Sequence, residues 1–489
     1  MSASDLFPIL PLLILGGASI VVMLAIAIHR SHAASLALTL VGLGAAFASL
    51  WVVAPIAPQR VTELLVIDRY ALFYMGLIIA ATFVVALLCY GYFERQETDP
   101  EELYVLLLVA ALGSAVLVAS SHFISFFLGL EILSVALYAL NAYPHSRRRP
   151  LEAGLKYLIL AASSAAFLLF GMALIYAELG TMDFLRIRDA LFAAPYVSHA
   201  VLLAGTALVI TGFGFKLALA PFHLWTPDIY EGAPAPVTAF VATVSKGAMF
   251  ALLLRYFYWS GSRHFAAVLV VFTIIAIASM IIGNFLAMLQ NNVKRILAYS
   301  SIAHMGYVLV AFEAAGALAA RAVTFYLVAY FITTLGAFGV ITIMSGGQGD
   351  ADSIDDYRGL FWRRPALAAV FTAMLLSLAG IPLTAGFIAK YYIIFAGASS
   401  ATWLLVFVLI GSSIFGLFYY LRVIVAMYSG LSHGHEELEP AHVPASGPVP
   451  KLSLTGSIAL VVVTILLVWV GVYPTSVLHW VQAATAAMI

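Results

Sequence analysis

The chain has 489 residues, 64% of them hydrophobic and only 9% charged, against roughly a quarter charged in a soluble domain. Its 23 basic and 23 acidic residues cancel, leaving neither a basic face for nucleic acid nor an acidic solvated arm. Cys89 is the single cysteine, which excludes disulfides within the chain, a cysteine-ligated iron–sulfur cluster and C-x-x-C sites, and no cofactor is expected here.

Apolar runs of about twenty residues recur throughout, each long enough to carry a helix across roughly 30 Å of hydrocarbon. The first, near 6–28, follows Met-Ser-Ala-Ser-Asp without a basic flank and is longer than a signal-peptide core, so it reads as a span. Spans two to seven fall near 34–54, 71–92, 103–120, 123–142, 155–177 and 201–220. Spans eight to fourteen fall near 236–258, 265–289, 297–314, 319–344, 367–397, 402–428 and 453–473. The predicted fold class is all-α, a polytopic membrane protein of about 14 transmembrane helices.

An even count puts both termini on one side of the membrane. Arg30, Arg95, Arg147, Arg148, Arg149, Lys294, Arg295, Arg358, Arg363, Arg364, Arg422 and Lys451 fall in one set of alternate loops, and the other set holds fewer basic residues. The positive-inside rule then predicts a cytoplasmic first set and both termini outside. Two hydrophilic stretches, one before span twelve and "HGHEELEPAHVPASGPVP" before span fourteen, read as loops. His433, His435 and His442 in the second lack the spacing of a metal site.

The charges inside the spans carry the functional signal. Of six lysines, Lys216 lies in span seven, Lys246 in span eight and Lys390 in the latter part of span twelve, while Glu131 stands near the middle of span five. An ionised side chain at mid-membrane costs about 2.5–3.5 kcal/mol on the lenient insertion scale. Lys156, Arg255 and Glu178 sit at span ends, where long side chains snorkel or pair structurally. The deeper groups suit proton carriage, because desolvation brings a lysine toward neutrality, a nearby carboxylate opposes that, and arginine never titrates.

Lys216 and Lys390 each also lie beside a helix breaker. Pro221 follows Lys216 by five residues, and Gly380 and Pro382 precede Lys390 in "LAGIPLTAGFIAK". Proline removes a backbone donor, and broken backbone within a membrane persists only where it is buried in protein or lines a hydrated cavity. Spans seven and twelve run in opposite directions, which predicts two inverted five-helix repeats, each with a broken helix. The expected divisions are 1–102 for three N-terminal helices, 103–260 and 261–430 for the two halves, and 431–489 for a loop and the last helix. "GFGFK" and "GFIAK" match at one register, while Pro221 and Pro382 match at another, and the sequence does not choose between them.

"GFGFKLALAPFHLWTPDIYEGAPAPVTAFVATVSKGAMF", "GNFLAMLQNNVKRILAYSSIAHMGY" and "LSLAGIPLTAGFIAKYYIIFAG" closely resemble signatures of the antiporter-like membrane subunits of respiratory complex I, the proton-translocating NADH:quinone oxidoreductase. The resemblance covers essentially the whole chain. It implies that Glu131 and Lys216 form the charge pair of a first half-channel, that Lys246 is the connecting lysine and that Lys390 is the exit-side lysine. His304 is a further relay candidate, with plain hydrogen bonding as its alternative role. His223, Trp225, Asp228 and Glu231 are expected to shape the loop after Pro221 and hydrate the inner entrance. The expected partners are a neighbouring antiporter-like subunit and small membrane subunits, with lipid around them, in a bacterial inner membrane. No motif marks a quinone pocket. A cation/proton antiporter or membrane-bound hydrogenase subunit of the same fold is the alternative, and a non-conducting scaffold is the alternative of another class.

Overall fold

A computed structural model describes residues 6–96, 98–144, 146–193, 199–314, 316–347, 349–430 and 453–486. Among them, thirteen continuous helices are long and apolar enough to cross a membrane. A pair of half-helices, Pro365–Ala379 and Ala385–Ser399, supplies the remaining span, the twelfth. The count of fourteen therefore stands. Helices dominate because hydrocarbon offers the peptide groups no hydrogen-bond partner, so each segment must satisfy its own backbone.

The spans form an inner group and a sheath. Spans eight (Ala235–Trp259) and eleven (Gly316–Met344) are buried along the whole of their most apolar stretch, and span ten (Val293–Ala314) nearly so, whereas span one (Phe7–Ile28) is only 28% buried. Span five (Phe123–Asn141) reaches its neighbour, span four (Glu101–Ala119), by direct backbone approach. A Cβ on Gly113 would stand 2.5 Å from the Leu133 nitrogen and 2.9 Å from the Gly129 carbonyl oxygen. Small residues permit such closeness where helices pack without a hydrophobic drive, and this contact fixes the helix that carries Glu131.

Of the basic residues predicted to share one side, Arg95, Arg147, Lys294 and Arg422 join loops on one face, and Lys451 lies outside the described residues. Arg95 donates to the Ile343 carbonyl at 2.9 Å, Arg147 to the Gly347 carbonyl at 2.5 Å, Lys294 to Asp350 at 2.5 Å and Arg422 to the Met288 carbonyl at 3.1 Å. On the opposite face Arg60 pairs with Asp183, and Arg186 with Glu63 at 3.1 Å. That face also carries features the apolar pattern does not signal. A short antiparallel hairpin joins β1 (Gln59–Val61) to β2 (Leu65–Ile67), and a ten-residue helix covers Phe184–Ala193. The loop before span twelve contains a capped turn at Ile354–Tyr357, and a further helix, Thr475–Thr485, follows span fourteen (Leu454–Val472). The histidine-bearing loop with His433, His435 and His442 lies outside the described residues.

Arg255 does not snorkel. It is fully buried, donates to Asp68 at 2.8 Å and stacks over Tyr70 and Trp259. Asp68 in turn caps span three (Arg69–Glu94) by accepting from the Ala71 amide at 2.7 Å.

Candidate functional site

Span seven (His199–Leu217) ends because Ala218 adopts a left-handed backbone, with φ 59°. The Ala218 amide closes on the Phe215 carbonyl at 3.0 Å and the Leu219 amide on Gly214 at 2.8 Å, a Schellman-type stop. The turn is braced from outside. Trp225 Nε1 donates to the Phe215 carbonyl at 2.9 Å, and Ser279 Oγ accepts from the Ala220 amide at 2.9 Å. Pro221 lies within the break, and a short helix, Trp225–Gly232, resumes after it.

Lys216 occupies the last turn before the break, where the partial negative charge of a helix C-terminus favours a cation. It is 4% exposed and donates to Ser134 Oγ at 2.8 Å and Tyr157 Oη at 3.0 Å. Glu131 sits one turn before Ser134 on span five. Its Oε1 is buried without a hydrogen-bond partner, and the carboxylate makes no ion pair with Lys216 within 4.0 Å. The expected charge pair is thus not a direct ion pair: Lys216 bonds Ser134, three residues along the helix from Glu131, and Glu131 Oε1 has no partner.

Span eight departs from regular geometry immediately before its lysine, where Val241–Ser245 form a π-helical turn. Such a turn carries one extra residue and re-aims the side chains that follow, and it is frequent at functional sites. Lys246, 1% exposed, donates to Ser301 Oγ on span ten and lies 5.4 Å from the Tyr230 ring centre. Three residues after Ser301, on the same helix face, His304 Nδ1 shares a 2.8 Å hydrogen bond with Tyr326 and Nε2 a 3.3 Å one with Tyr420. Tyr420 also bonds Ser300.

Span twelve breaks at Gly380, with φ 85°, and Leu383, with φ 72°. Pro382 lies between them, and Thr384 restarts the helix by accepting from the Phe387 amide at 3.3 Å. Lys390, 8% exposed, reaches back across the break to the Ala379 carbonyl at 2.8 Å and sideways to Ser413 Oγ at 2.7 Å. It also lies 5.2 Å from the ring centre of Tyr307, whose hydroxyl is held by Asn284 at 2.8 Å. A Cβ on Gly380 would stand 2.7 Å from Lys390 Cδ. Gly380→Ala therefore combines a disfavoured backbone with displacement of the ammonium. The expected cost is about 1–3 kcal/mol, read as a lower melting temperature of the purified assembly.

The shared pentapeptide is not the equivalent point of the two breaks. Lys216 precedes its break and Lys390 follows its own, whereas Pro221 and Pro382 both fall inside. The proline register is the structural one.

After the first break Asp228 accepts from Arg295 at 3.0 Å and from Lys156 at 3.2 Å, and Glu231 from Arg295 at 2.8 Å. Lys156, Asp228 and Glu231, with Arg149 and Glu152, line a cavity of about 190 Å³. Burial pushes the Asp228 carboxyl up, but hydrogen bonds from Arg295 and Lys156 hold it below the usual carboxylate range. His223 is buried, with neither ring nitrogen partnered. These residues form a polar vestibule beside the break.

Lys216, Lys246, His304 and Lys390 thus each bond a hydroxyl, while Glu131 Oε1 has no hydrogen-bond partner. Ser134, Tyr157, Ser301, Tyr326, Tyr420 and Ser413 were not legible as partners, because serine and tyrosine are ordinary within apolar helices and nothing in their spacing singles them out. Amines, phenols, hydroxyls and an imidazole are groups that can donate and accept protons.

A family profile described as NADH:quinone oxidoreductase/Mrp antiporter, TM, matches residues 120–416. The chain is 52% identical to the NADH-quinone oxidoreductase subunit N of Nitrosospira multiformis, over 98% of this chain and 96% of the relative. It is 48% identical to the subunit of the same name from Ectopseudomonas mendocina, over 99% and 97%. Among solved structures, it resembles a chain of respiratory complex I from Thermus thermophilus with bound Aureothin, with a TM-score of 0.81, 31% identity and coverage of 97% and 100%. It also shares the fold of a chain in the Mrp complex from Dietzia, with a TM-score of 0.85, 20% identity and coverage of 100% and 98%.

Proposed function

The chain belongs to the NADH:quinone oxidoreductase/Mrp antiporter family of membrane subunits, and from that premise we propose that it is the proton-translocating, subunit-N-type component of the membrane arm of a NADH-quinone oxidoreductase. One observation carries the reading. Three lysines, each at most 8% exposed, have hydroxyl or carbonyl partners in place of carboxylate counter-ions. Fixed structural cations in an apolar interior are paired. These are not, and an ammonium without a counter-charge is one that can release its proton.

Redox chemistry proceeds in other subunits, and this chain carries no redox centre. Neighbouring membrane-arm subunits shift Glu131 relative to Lys216. When the carboxylate approaches, Lys216 holds a proton drawn from the vestibule beside Asp228. When it withdraws, the proton passes toward Lys246 and then, by way of Ser301 and the His304 cluster, to Lys390. Helices four to eight, within 103–260, and nine to thirteen, within 261–430, act as two inverted halves, each contributing one broken span. The protein lies in a bacterial inner membrane with both termini outside.

The site disfavours sodium, since the hydroxyls nearest the lysines already accept ammonium protons and, among the described residues, no group of three or more His, Cys, Asp or Glu could hold a metal ion. Lys246→Ala in the reconstituted complex tests the reading. Loss of a positioned proton carrier costs about 10²–10⁴-fold, so pumping coupled to NADH oxidation should collapse while NADH oxidation by an artificial acceptor persists. Full pumping in that variant, or pumping that requires sodium, would refute it.

A further inference from the structure

The polar chain is interrupted between its centre and Lys390. Both ring nitrogens of His304 are taken up by Tyr326 and Tyr420, and no hydrogen bond joins either phenol to Lys390. An ammonium offers three donors, and Lys390 uses two of them, toward Ala379 and Ser413. Between the two groups lies a cavity of about 10 Å³, walled by His304, Tyr326, Tyr330, Thr333, Ser377 and Lys390 among others. That is room for about one water molecule, which persists when two to four polar groups surround it.

Tyr330 on span eleven is the side chain that the relay described above leaves unused. It is 4% exposed, its hydroxyl has no hydrogen-bond partner, and its ring centre lies 5.5 Å from that of His304. Its hydroxyl lies near Thr334 and near Ser301, the group that accepts from Lys246. Thr334, one turn further along, has an unpartnered buried hydroxyl as well. Leaving a buried hydroxyl unsatisfied costs about 1–3 kcal/mol, and a bound water is a common resolution of such a deficit. Thr333 and Ser377, hydrogen-bonded to each other at 3.1 Å, supply further oxygens on the wall.

We propose that Tyr330 and one water molecule held in this cavity carry protons between Ser301 and Lys390, alongside His304. The inference rests on the relay reading given under Proposed function. In one passage the water gives a proton to the neutral Lys390 amine and takes the phenolic proton of Tyr330. Tyr330 takes one from the Ser301 hydroxyl, and Ser301 takes one from the Lys246 ammonium. Water, phenol and hydroxyl end neutral, Lys246 ends as the amine, and Lys390 ends as the ammonium.

Tyr330→Phe keeps the ring and removes one oxygen. In the assembled, reconstituted complex it should lower coupled proton pumping about tenfold, raise the solvent-deuterium effect on coupled turnover and abolish the water peak in a high-resolution map. Wild-type pumping and isotope effect in Tyr330→Phe, with Lys390→Ala inactive, would overturn the role of Tyr330 and leave the lysine relay standing. Wild-type pumping in both variants would remove the relay as well. Should Tyr330→Phe fail to assemble, the map of the unaltered complex decides. A water within hydrogen-bond distance of both the Tyr330 hydroxyl and Lys390 Nζ supports the proposal, and an empty cavity overturns it.

Discussion

Lys216→Arg is expected to yield an assembled complex that oxidises NADH with an artificial acceptor but does not pump protons through this subunit. Arginine retains the positive charge and can still donate to Ser134 and Tyr157, so a purely structural role would survive the exchange. It cannot be deprotonated in a protein, so a role in proton transfer would not. Lys216→Ala removes both charge and carrier and should be equally inactive, with loss on the order of 10²-fold in coupled turnover. The comparison is read by proton uptake in proteoliposomes alongside NADH oxidation. Pumping preserved in Lys216→Arg would eliminate titration at this position. If Glu131 and Lys216 can be neutralised together with assembly and pumping intact, the chain is a scaffold.

The largest effect on stability is expected away from the relay, at Arg255 and Asp68. Asp68→Asn keeps a side-chain oxygen to cap span three but removes the counter-charge from a guanidinium that is fully buried. Stranding a buried charge costs about 3–5 kcal/mol, and Arg255 already has two nitrogens without hydrogen-bond partners. The expected result is a sharp fall in assembled complex and in its melting temperature. Arg255→Met added to Asp68→Asn should restore most of the loss, because an uncharged pair of similar size avoids the desolvation penalty. A double variant as unstable as Asp68→Asn would show that Arg255 contributes through its stacking on Tyr70 and Trp259.

The architecture was legible where hydrophobicity decides it. Span ends shift where polar residues continue a helix beyond the hydrocarbon. Span six was read from 155, yet the helix begins at Arg148, and the basic first turn lies outside the apolar pattern. The breaks were legible because Pro221 and Pro382 are incompatible with an uninterrupted helix. Their register was not, because Gly-Phe-x-x-Lys matches by composition while the break is a backbone event, marked by Ala218 in one span and by Gly380 and Leu383 in the other. The π-helical turn before Lys246 left no trace in residue type, since Val-Ala-Thr-Val-Ser suits a regular helix equally well. Deep charges identified the lysines and Glu131. Their partners, and the lack of a direct ion pair between Glu131 and Lys216, depend on packing among helices distant in sequence.

Spans eight and eleven never touch lipid along their apolar stretches, so Lys246 and Tyr330 are insulated by other helices. Headgroup charges stand at the edge of a hydrocarbon layer about 30 Å thick, and mobile ions on the aqueous side screen them over about 8 Å. The acid–base balance of the centre is therefore set by the polypeptide. Exchanging zwitterionic for anionic lipid should change how the sheath seats in the bilayer, while the intrinsic pH optimum of the buried step stays where the protein has placed it.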